Sequence, residues 1–87
     1  MNTITIINLT TKAFNIINDE CLSEALRVET TNVRSHKSIF FQMDDIIDYN
    51  EEESIKQDLE LIPEVDFVIF SEDKSKQVTN IIIELKI

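Results

Sequence analysis

The sequence predicts an α+β domain of two layers, with two helices on one face of about four mostly antiparallel strands in the order β-α-β-α-β-β. Three observations point there. β-Branched and aromatic residues form short alternating runs toward both ends of the chain. Apolar residues recur at spacings of three and four in two places between those runs. Eighty-seven residues are enough for one core and no second folding unit.

Thr3 to Leu9 alternates well enough to be read as a strand, after which a Thr10 or Thr11 hydroxyl caps a helix. That helix is expected from Lys12 to about Val28, with Phe14, Ile17, Cys21, Ala25 and Val28 on its core face. Asn15, Asn18 and Asp19 form helix poorly, which leaves open a second strand over 13–17 and a shorter helix from Asp19. Residues 29–38 have no period and read as a loop. Ile39 to Met43 reads as a strand with Ile39, Phe41 and Met43 on one side.

Asn50 is the expected cap of a second helix. Glu51, Glu52 and Glu53 in its first turn favour the positive end of the helix dipole. Ile55, Leu59 and Ile62 form its apolar stripe, and Pro63 stops it. Residues 64–70 then read as a strand, 71–76 as a polar turn and 78–87 as a closing strand. Alternation puts Val65, Phe67 and Ile69 in the core with Ile81, Ile83 and Leu85, and one register sets Val65 opposite Ile83.

Composition removes several classes of function. Without a glycine, no phosphate-cradling loop or dinucleotide fingerprint can form. Cys21 alone makes neither an internal disulfide nor a thiolate metal cluster, and a reducing compartment is the simplest setting. No apolar run is long enough to span a bilayer, and no secretory leader pattern opens the chain. The protein is therefore expected to be soluble and cytoplasmic, with no cofactor.

The formal charge of −9 is concentrated in one stretch. Ten of the seventeen acids and one of the eight bases lie between Asp44 and Asp66, which leaves seven of each for the rest of the chain. Such a field repels nucleic acid and anionic membrane and attracts a basic protein surface. Ile46, Ile47 and Tyr49 sit inside the stretch, where apolar groups ringed by charge serve as interface anchors; Ile46 and Ile47 also fit a second reading in which they finish the core under the second helix.

A second constellation is Pro63 and Asp66, followed by Ile81-Ile82-Ile83-Glu84-Leu85-Lys86. It resembles the half-motif of the PD-(D/E)xK, restriction-endonuclease-like nucleases. The resemblance spans about the last quarter of the chain. It implies two carboxylates, Asp66 and Glu84, holding Mg²⁺ while Lys86 steadies a water or phosphate, with Glu20 or Glu24 completing the site. A nuclease surface is basic, whereas this charge has the opposite sign.

Charge therefore ranks a binding module ahead of an enzyme. The expected function is inhibition of a basic, nucleic-acid-handling partner of the kind met by immunity proteins, antitoxins and phage anti-defence proteins. Its expected contact residues are Asp44, Asp45, Ile47, Asp48, Tyr49, Glu51, Glu52, Glu53 and Asp58. The apolar last strand is also expected to offer an edge through which two copies pair.

Overall fold

A computed structural model describes residues 1–87. The elements run α1 (Thr3–Glu20), β1 (Ala25–Val33), β2 (His36–Met43), α2 (Tyr49–Glu60), β3 (Val65–Asp73) and β4 (Val78–Leu85). All strand pairs are antiparallel, in the sheet order β1-β2-β4-β3. Both helices share one core with one face of that sheet. The class is the expected α+β, but the order α-β-β-α-β-β differs from the expected one in the first third of the chain.

Thr3 to Leu9 is helical because local capping and burial outweigh its β-branched composition. The Thr5 N–H donates to the Asn2 side chain (2.8 Å), and the Thr10 hydroxyl donates to the Ile6 carbonyl (2.7 Å), so the threonine is satisfied inside the helix. The buried stripe is Ile6, Leu9, Ala13 and Ile17. Phe14, expected inside, is 40% exposed, although its ring stacks on Phe41 with centroids 6.4 Å apart. Extended backbone at Cys21 ends the helix, following the weak helix formers Asn18 and Asp19.

Ala25 and Val28 are thus strand residues, and the expected loop over 29–38 is a β-hairpin. Its two-residue turn contains no glycine; the Lys37 ammonium closes it by donating to the Val33 and Arg34 carbonyls (3.1 and 3.3 Å). The other hairpin turns over residues 74–77. There the Asp73 carboxylate accepts from Ser75 and Lys76, and Gln77 takes φ 56°, a left-handed conformation that ordinarily favours glycine.

The second half follows the sequence more closely. Ile39, Phe41 and Met43 are buried, as are Ile55, Leu59 and Ile62 on the helical stripe and Ile81, Ile83 and Leu85 on the last strand. The cap of α2 is Asp48 rather than Asn50, since the Asp48 carboxylate accepts the Glu51 N–H (2.9 Å). In β3 a bulge between Val65 and Phe67 shifts the register, pairing Val65 with Leu85 and Phe67 with Glu84. The bulge puts Val68 in the core and leaves Phe67 and Ile69 half exposed on the sheet's open face.

The last strand is not an edge. β4 is hydrogen-bonded to β2 on one side and β3 on the other, so it has no free backbone for a second copy. The free edges are β1 and β3. No helix is long and apolar enough to cross a membrane.

Candidate protein-binding surface

The acid-rich stretch is held in place by one buried threonine. Thr79 is fully buried on the core face of β4; its hydroxyl donates to the Asp45 carbonyl (2.8 Å) and accepts the Ile47 N–H (3.0 Å). Those two bonds fix the segment between β2 and α2 to the sheet. They present Asp44, Asp45 and Asp48 to solvent while Ile47 is drawn inward.

Ile47, an expected anchor, is 3% exposed and belongs to the core. Its side chain serves the core rather than the exposed surface, meeting solvent only at the floor of the cleft beside Leu22. Tyr49 is 71% exposed at the start of α2, as an anchor should be. Two further apolar groups stand near the acids and were not singled out by the sequence: Leu22, wholly exposed after α1, and Leu61, 80% exposed after α2. Both lie off the periodic stripes, and that is the only signal they carry. Leu22 lines a cleft of about 200 Å³ with Ser23, Asp45, Ile46 and Glu51.

The carboxylates gather from separate parts of the chain. The Glu20 carboxyl is held above the ordinary range because its protonated form donates a hydrogen bond to Asp58, with slight desolvation and the charges of Asp58 and Asp19 acting in the same direction. Burial first, then the hydrogen bond and charge of Asp48, does the same to Glu51. Glu52 is raised by burial first, then by the charges of Glu72, Glu53 and Asp48. The end of α1, the loop before α2, α2 itself and β3 thus contribute to one anionic pole.

Asp48 moves the other way, because the Glu51 N–H at the helix start stabilises its charged form. No cation neutralises this pole by direct contact. The molecule has two ion pairs, Arg27–Glu29 and His36–Glu84, and neither includes an acid of the Asp44–Asp66 stretch. Acids also stand where the helix dipoles disfavour them. Neither helix has a base in its last turn, which in α1 carries Asp19 and Glu20 and in α2 carries Asp58 and Glu60.

The residues of the nuclease resemblance are arranged differently. Asp66 lies in the β3 bulge, so Phe67 faces Glu84. The Glu84 carboxylate is engaged by His36 Nε2 at 3.0 Å, and Lys86 is exposed beyond the end of β4. No group of three or more His, Cys, Asp or Glu side chains is placed to hold a metal ion. Glu20 is drawn to Asp58 in the anionic pole. No family model, curated protein or solved structure matches this chain.

Proposed function

We propose that this chain is a small cytoplasmic binding module that inhibits a basic, nucleic-acid-handling protein by presenting carboxylates where that protein receives phosphates. The observation that carries the reading is the self-repelling pole: Glu20 beside Asp58, Glu51 beside Asp48, and Glu52 beside Glu72, with no internal cation paired to them. Stability alone would favour a lysine or arginine at two helix C-termini that instead end in acids. A basic partner supplies the missing counter-charge.

Long-range attraction would speed encounter, and Tyr49 and Leu22 would hold the complex once formed. Immunity proteins, antitoxins and phage-encoded inhibitors of host defence are the physical class. In a test, proteins captured from the source cell at low salt are challenged with duplex DNA and with rising salt. The wild-type chain should release its partner to both. The Glu51→Lys, Glu52→Lys, Glu53→Lys triple variant should bind on the order of tenfold more weakly or worse, with a flatter salt response. Unchanged affinity and salt response in that variant would defeat the proposal.

A further inference from the structure

β1 is an open edge of the sheet, opposite the edge formed by β3. It pairs only with β2, and seven of its nine residues from Ala25 to Val33 are exposed, Val28 at 44% and Val33 at 54% among them. The helix layer stops short of it. A cleft of about 330 Å³ separates α1 from β1, lined by Ile7, Thr11, Val28 and Thr30, and Ile7 is 56% exposed. An uncovered edge with an apolar helix flank is incomplete as a surface.

We infer that a second copy of this chain completes it, through antiparallel pairing of β1 with its own mate about a two-fold axis at Val28. Arg27 and Glu29 pair within one chain, and a two-fold at Val28 sets each of them opposite the unlike charge of the mate, so this register joins the two pairs with no like charges face to face. A two-fold axis normal to the sheet sets residues equidistant from the centre opposite one another and on the same face. Centred on Val28, Arg27 faces the partner's Glu29 and Glu29 faces the partner's Arg27. A centre one residue later would set Glu29 against its own copy.

The other edge has no such complementarity. β3 carries Asp66, Glu72 and Asp73 without a base, and its bulge falls at Asp66. In β1 the register shift lies between Ala25 and Arg27, so Arg27 to Glu29, the residues that carry the charge pairing, form the regular centre of the ladder. Pairing at β1 makes one eight-stranded sheet, brings the two copies of α1 alongside each other over the clefts, and leaves α2 with its acids at the far ends.

Sedimentation equilibrium over a concentration series reaching on the order of 1 mM reads this directly. The wild-type mass should approach twice 10.1 kDa. Arg27→Glu alone and Glu29→Arg alone each set like charges opposite one another and should weaken association by roughly tenfold or more. An equimolar mixture of the two variants restores opposite charges and should recover the double mass. Disulfide cross-linking fixes the register: on a Cys21→Ser background, Val28→Cys lies on the axis and should oxidise to a covalent dimer much faster than Thr31→Cys. A wild-type mass of one chain throughout, a mixture no heavier than its components, or equal cross-linking rates would each overturn the inference.

Discussion

Two regions of this molecule expose charge and treat it in opposite ways. On the open face of the sheet, Glu29 is paired with Arg27, and Glu84 with His36, while the Arg27 guanidinium also lies 5.6 Å from the centre of the Phe40 ring. At the pole around α2, carboxylates meet carboxylates: Glu20 with Asp58, Glu51 with Asp48, Glu52 with Glu72. In the first region each of these carboxylates has a donor within the chain. The second stores repulsion that an outside cation can relieve, and this difference is why function is placed at the pole rather than on the sheet.

The largest expected effect comes from removing what holds the pole to the fold. Thr79→Val keeps the shape of the side chain and deletes both of its bonds, leaving the Ile47 N–H without its acceptor beneath the acidic loop. An unsatisfied buried donor costs about 1–3 kcal/mol, so urea unfolding should show a loss of that size, and Thr79→Ser should retain most of the stability. Amide exchange at Ile47 should accelerate in the valine variant while exchange along β1 and β2 stays the same. If both regions loosened together, the pole would not be a separately anchored unit.

A smaller effect distinguishes the regions by sign. Glu52→Gln removes repulsion with Glu72, Glu53 and Asp48 and should raise the Tm by roughly 1–3 °C. Glu84→Gln removes an attraction to His36 on the sheet face and should lower the Tm or leave it unchanged at a pH where that histidine is charged. Thermal scans of the two variants beside wild type decide it. A fall in both would mean that Glu52 has a favourable partner after all.

The sequence made the second half of the fold legible because its signals agree there. Ile55, Leu59 and Ile62 keep helical spacing up to a proline, and Ile81, Ile83 and Leu85 keep strand alternation. In the first half the signals conflict. Thr3 to Leu9 has strand composition, yet Ile6, Leu9, Ala13 and Ile17 are spaced for a helix, and packing of that stripe prevails. Ala25 and Val28 continued the helical count from Cys21 by coincidence. The bulge at Asp66 has no local signature, so the face of Phe67 and Ile69 could not be read.

The acids of the pole were legible as a cluster because they are dense along the chain. Their neighbours Glu20 and Glu72 are distant in sequence and join only through the fold. Ile47 admits two readings in the sequence, anchor or core, and what decides for the core, its packing and its N–H bond to Thr79, lies thirty-two residues away. An apolar residue among acids suggests an anchor until its backbone partner is known.

The smallest effect, the response to pH, tests the pole as a whole. Glu20, Glu51 and Glu52 have folded pKa values above their ordinary ones, so the folded state binds their protons more readily than the unfolded chain does. Burial of Glu51 and Glu52, the shared proton of Glu20 and Asp58, and the repulsion among these carboxylates weaken stability at neutral pH, and that loss is regained as pH falls through the raised values. Asp48 and Asp73 are lowered, so what they contribute is present above their ordinary pKa and is lost as pH falls further. Stability should therefore rise on mild acidification before it declines, with a shallow maximum in the upper carboxylate range. The Glu20→Gln, Glu51→Gln, Glu52→Gln triple variant should lose the rise and keep the decline, and added salt should flatten the rise because these groups are solvent-screened. Urea titrations across pH would show it; a wild-type stability that only falls from neutrality downward would mean the pole's carboxylates do not oppose one another in the folded chain.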